Sequence, residues 1–110
     1  MYSRRRYPFI RFLEASGYDV TYISGLDVER NGSRLLSHRA FVAVGHDEYW
    51  SQHQRDAITA ARDAGVHLAF FTGNAAYWRV RWEASPVDGV AHRTMVIYKE
   101  SQVRCGVRDT

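Results

Sequence analysis

Five titratable or aromatic side chains stand side by side in the stretch AFVAVGHDEYWSQHQ: His46, Asp47, Glu48, Tyr49 and Trp50. An apolar run, residues 40–44, precedes them, and Gly45 lets the backbone turn sharply before them. Ser51 and Gln54 follow as an S-x-x-Q capping box that opens a helix. In open α/β sheets ligands bind outside the carboxyl ends of the strands, which is where this cluster falls. Thr72, Gly73, Asn74 and Tyr77 follow the next apolar run and are expected at the same edge. Two consecutive strand ends carrying polar groups make a crevice, and a crevice of titratable groups can bind and transform a ligand.

Each residue of the cluster also has a structural role open to it. His46 and Asp47 can cap the following loop through backbone hydrogen bonds. Glu48 near a helix start is favoured by the macrodipole alone. Tyr49 and Trp50 can pack into a core. Taken singly the structural role prevails; for the set at one strand end the functional role does.

Other chemistries find no support in the spacing. His38, His53, His67 and His92 match neither H-E-x-x-H nor H-x-x-E-H, so a zinc site is not indicated. Neither G-x-G-x-x-G nor G-x-x-x-x-G-K-[ST] occurs, and there is no G-x-S-x-G elbow. Cys105 is the single cysteine, which rules out an internal disulfide and a thiolate metal cluster. The aromatic and basic alternation of Tyr77, Trp78, Arg79, Arg81 and Trp82 can stack bases, but in a strand it more often separates a core face from a solvated one.

The elements that must position the cluster follow from periodicity. Residues 7–16 read as a short helix, with Pro8 near its start, Phe9, Phe12 and Leu13 on one face and Gly17 as the stop. Residues 19–24 (DVTYIS) alternate as a strand, and 25–38 is turn-rich around Asn31-Gly32, with a short helical piece near 33–37. Residues 40–44 form a continuous apolar run of the kind found in a parallel strand covered on both faces. A helix over 52–64 buries Ala57, Ile58, Ala61 and Ala64; a strand over 66–71 follows, with Phe70 and Phe71 in the core. Residues 77–82 and 93–98 are further strands around a turn at Pro86 and Asp88-Gly89. This order describes an α/β fold, a mostly parallel sheet with flanking helices in flavodoxin-like layers. The first helix has no strand before it, so the fold is expected to be truncated at the first strand.

A length of 110 residues allows one domain, spanning 1–110, and 45% hydrophobic with 25% charged residues is a globular balance. The net charge of +3 is scattered apart from Arg4, Arg5 and Arg6, read as a solvated chain end, so nucleic acid is not an expected partner. No apolar run approaches the ~20 residues of a membrane span, and no apolar leader opens the chain. The cytoplasm is the expected compartment, and no membrane is an expected partner.

The strings YPFIRFLEASGYDVTYIS, VGHDEYWS and LAFFTGNAAYWRVRWE resemble the carboxyl-terminal domain of the large (β) subunit of N,N-dimethylformamidase and its relatives, over residues 7–98. The resemblance implies a glutamine-amidotransferase-like layering and hydrolysis of the C–N bond of a small amide, a formamide, to an amine and formate. It also implies a mononuclear iron held by two tyrosines and a glutamate. Hard phenolate donors suit ferric iron, which would polarise a carbonyl or activate water. Tyr49, inside GHDEYWS, is the first candidate ligand and Tyr7 the second. His46, Asp47 or Glu48 would orient water or hold the tyrosinate, and Asn74 would donate to a developing oxyanion. The glutamate ligand is expected downstream of this chain, leaving the iron site of the isolated 110 residues incomplete.

Two readings of function stand side by side. One is an amide-hydrolase domain or fragment. The other is a non-catalytic α/β module, structural or partner-binding, whose unpaired sheet edge would favour a homo-oligomer or a second subunit.

Overall fold

The computed structural model describes residues 6–99. The chain is a mixed α/β structure with two small sheets. Helix α1 (Tyr7–Ala15) comes first, then α2 (Gly25–Asn31) and a 3-10 segment (Gly32–Ser37). Strand β1 (Ala40–Val44), strand β2 (Tyr49–Ser51), helix α3 (Gln52–Asp63) and strand β3 (His67–Phe71) follow, and β4 (Trp78–Glu83) and β5 (Thr94–Ile97) complete the described elements.

The sequence writes the ends of the helices. Helix α1 carries Pro8 in its first turn, where a missing N–H has no intrahelical acceptor to lose. It closes as a Schellman motif: the Tyr18 N–H reaches the Leu13 carbonyl and the Gly17 N–H the Glu14 carbonyl, each at 3.2 Å. Gly17 adopts φ +75°, which that closure requires. Helix α2 begins with a capping box in which Ser24 accepts from the Asp27 N–H and Asp27 accepts from the Ser24 N–H. Hydrogen bonds from the Ser24 side chain, then its backbone N–H, hold the Asp27 carboxyl below the usual range. Helix α3 opens with the expected Ser51–Gln54 box, both of whose residues are buried.

Strands β1 and β3 run parallel, from Ala40 opposite His67 to Val44 opposite Phe71. The second sheet has the order β2-β4-β5, with β2 parallel and β4 to β5 antiparallel. The core is Val28, Leu35, Trp50, Ile58, Ala61 and Val66, with Phe41, Ala57, Leu68 and Ala76 packed against it. It lies between α2, α3 and one face of the β1–β3 pair. At the 3-10 segment the backbone passes so close to α3 that a Cβ on Gly32 would sit 2.3 Å from that of Ala57.

Several expectations change. Residues 19–24 form no strand, because no ladder partner lies beside them among the described residues. Side chains tether this segment instead: Tyr22 donates to Glu14 at 2.7 Å and Thr21 bonds His38 Nε2 at 2.7 Å. The turn-rich stretch contains α2, and Asn31-Gly32 joins two helical pieces rather than forming a turn between strands. Strand β1 is not covered on both faces; Ala40 and Val42 are exposed. Among the described residues the parallel sheet with β1 has two strands. Phe70 and Phe71 are not core residues, being 43% and 62% exposed. Phe70 leans on Phe41 and Trp50 on the covered face, while Phe71 meets the ring of Phe9 from α1 on the other. Ala64 is exposed as well.

The close approach at Gly32 makes a test. Gly32→Ala should destabilise the protein by roughly 1–3 kcal/mol through overpacking, read as a lower urea midpoint. An unchanged midpoint would mean that α3 yields freely at Ala57.

Candidate active site at the paired strand ends

Parallel pairing brings both expected polar segments to one edge. Gly45, at φ +75°, extends the β1–β3 ladder by donating its N–H to the Phe71 carbonyl at 3.1 Å. The chain then passes through 46–48 while, after β3, it passes through 72–77. These two passages are bonded to each other: the Ala76 N–H donates to the Asp47 carbonyl at 2.9 Å, and the Trp78 N–H to the Glu48 carbonyl at 2.8 Å. β2 continues that pairing, with Tyr49 opposite Trp78.

The side chains occupy this seam in different ways. The His46 ring lies against Gly73, where an added Cβ would meet Cε1 at 3.4 Å. Asp47 and Glu48 are half-buried, and neither carboxylate has a hydrogen bond or ion pair among the described residues. Their backbone carbonyls, not their side chains, tie the loop. Glu48 stands before β2 rather than in the first turn of α3, so the macrodipole of α3 does not explain it. Asn74 is exposed at φ +52°, a left-handed conformation that asparagine tolerates, and Ala76 shares that region at φ +49°. Trp50 takes the structural role, buried in the core.

Tyr49 is half-buried, and its hydroxyl is reached by Lys99, whose Nζ donates at 2.6 Å. The same ammonium lies 4.8 Å from the ring centroid, so it sits at the hydroxyl end rather than over the face. The hydrogen bond to Tyr49 pushes the Lys99 ammonium above its ordinary range, and the charge of Glu48 adds to it. With the ammonium as donor, the phenol keeps its own O–H to offer outward.

Arg6 does not behave as part of a frayed basic end. Its guanidinium donates to the His46 carbonyl at 2.8 Å and lines the space beside Gly45. Arg4 and Arg5 lie outside the described residues. Tyr7 follows Arg6 at the start of α1, 53% exposed, with the Arg11 guanidinium 5.7 Å from its ring centre. No hydrogen bond or ring contact joins Tyr7 to Tyr49 among the described residues. Lys99 and Arg6 are the residues that sequence reasoning misses. No spacing rule links Lys99 to a tyrosine 50 positions earlier, and only the β4–β5 hairpin brings them together.

A second polar cluster lies under the helix. Ser51 Oγ donates to Glu29, whose other oxygen is 3.1 Å from His53 Nδ1. Ser51, glutamate and histidine are in the wrong order for a nucleophile, because the carboxylate stands between the hydroxyl and the imidazole. Ser51 also accepts the Gln54 N–H, so the cluster fastens α2 to the start of α3.

Of the two candidate iron ligands, Tyr49 is half-buried and Tyr7 is exposed. No group of three His, Cys, Asp or Glu side chains that could hold a metal ion occurs among the described residues. Nor is any helix among them long and apolar enough to cross a membrane.

The chain belongs to the family described as N,N-dimethylformamidase beta subunit-like, C-terminal, whose model matches residues 2–109. A comparison with curated proteins gives no match.

The Lys99–Tyr49 contact has a pH signature. A lysine raised above 10.5 by its partner contributes fully below that pH, and the contribution is lost as pH rises through the raised value. In Tyr49→Phe, nitrogen NMR of the Lys99 ammonium should show a midpoint lower than in the wild type. Coincident titrations would dismiss the contact.

Proposed function

We propose that this chain is a domain or fragment of an N,N-dimethylformamidase-like amide hydrolase, with the seam between 45–49 and 72–77 receiving a small amide. The observation that carries the reading is the family match over residues 2–109, joined to a tyrosine held by Lys99 at the paired strand ends. The β1–α3–β3 unit is the part of the chain consistent with a glutamine-amidotransferase-like layering.

An iron held by Tyr49 and Tyr7 would polarise the amide carbonyl; in its absence the side chains of the seam offer the chemistry. The Tyr49 O–H, with Lys99 on its oxygen, donates to the amide carbonyl and meets the negative charge that grows there as the carbon becomes tetrahedral. The Asn74 amide offers a second donor from the facing turn. Asp47 and Glu48, unpaired among the described residues and half-buried, orient the attacking water and accept its proton. His46 returns a proton to the departing amine. The family's description as beta subunit-like favours a second subunit as partner.

Formate release from N,N-dimethylformamide tests this reading. Tyr49→Phe should lower the rate about a hundredfold, the effect of losing one donor to an oxyanion. Equal rates in wild type and variant, or no release by either, would leave the hydrolase reading without support.

The second reading, a non-catalytic partner-binding module, is favoured by a specific feature: the outer face of β1–β3 exposes Val42 and Phe71, and the outer edges of both strands are unpaired among the described residues. It anticipates self-association or capture of a second subunit. Sedimentation that stays monomeric at rising concentration would contradict self-association.

A further inference from the structure

A groove of about 290 Å³ opens beside the seam, lined by Trp50, Ser51, Gln52, Arg55, Ala76, Trp78 and Arg79. Its charged residues, Arg55 from α3 and Arg79 from β4, carry the same sign and approach from different elements. Both are exposed, and among the described residues neither makes a hydrogen bond or an ion pair. Three other arginines are engaged: Arg62 with Asp63, Arg81 with Glu83, Arg6 with the His46 carbonyl. Two planar guanidiniums at one concavity, with no acidic residue in its lining, are placed to take an anion between them.

The rest of the lining narrows the ligand. Trp50 and Trp78 supply aromatic surface, and Trp78 is fixed by its edge-on contact with Tyr77 at 5.2 Å. The volume falls at the lower end of small-molecule sites, roughly 300–1,000 Å³, so it suits one ring and not a nucleotide chain. The capping box already uses the N–H groups of Ser51 and Gln54, so the guanidiniums rather than the helix end supply the attraction.

We infer that this groove is a binding site for a small oxyanion carried on a single planar ring, an aromatic carboxylate or phosphate monoester, clamped between Arg55 and Arg79 and stacked on Trp78. It is independent of whether Tyr49 acts on an amide, since it uses none of the seam's titratable groups.

Benzoate and phenyl phosphate, titrated against tryptophan fluorescence of the whole chain, test the inference. Both, or one of them, should quench saturably, and the stronger identifies the oxyanion as carboxylate or phosphate. Inorganic phosphate, which lacks the ring, should bind several-fold more weakly. Arg55→Gln and Arg79→Gln should each weaken binding about tenfold, the loss of a hydrogen bond to a charged group. Arg93→Gln, a distant exposed arginine, should change nothing. Added salt should weaken binding in the wild type. Both substituted arginines are exposed, and unchanged thermal melts would confirm that the variants fold. Absence of saturation, equal weakening by Arg93→Gln, or indifference to Arg55→Gln and Arg79→Gln would overturn the site. Inorganic phosphate binding as well as phenyl phosphate would overturn the stacked ring. Single-stranded DNA binding far more tightly through the same arginines would replace the small ligand with a polyanion.

Discussion

Two strands that run parallel must end at the same edge, and the chain between them must travel back to start again. The seam of this protein follows from that constraint acting on β1 and β3. The return passes through 46–48, β2 and α3, and the exit from β3 passes through 72–77, so segments about 30 residues apart become neighbours. Backbone hydrogen bonds from Ala76 and Trp78 to Asp47 and Glu48 then weld the two exits into one seam. The carbonyls of the two acidic residues serve as structure, which frees their carboxylates for other use.

The seam is braced from both sides by long basic side chains. Arg6 holds the His46 carbonyl from before α1, and Lys99 holds the Tyr49 hydroxyl from beyond β5. Both braces use charge-assisted hydrogen bonds, stronger than neutral ones. They orient a phenol and a turn whose surroundings are only half-buried. On the far side of Trp78 the charges are the reverse case: Arg55 and Arg79 have no such engagement among the described residues. One basic residue type thus serves as scaffold in one place and offers unmet charge in another.

The covered and uncovered faces of the β1–β3 pair explain most of the departures from expectation. Phe41 and Leu68 pack on the core, while Val42 and Phe71, at other positions along the same strands, stay exposed. An apolar run such as AFVAV carries no mark of which face will find a cover. Phe70 and Phe71 likewise look alike in sequence and differ in surroundings. By contrast, Trp78, Arg79, Val80, Arg81 and Trp82 alternate in type, and their burial alternates with them.

Local chemistry was enough for the features whose partners lie within a turn. The stop at Gly17, the Ser51–Gln54 cap, the turn at Gly45 and the strand character of 40–44 each depend on atoms a few residues away. The Ser24–Asp27 cap that opens α2 is local in the same way. Only the folded chain decided that 19–24 would lack a ladder, that Phe71 would be exposed, and that Lys99 would meet Tyr49. Those outcomes turn on contacts between residues distant in the chain, and a side chain's type does not specify its distant neighbour.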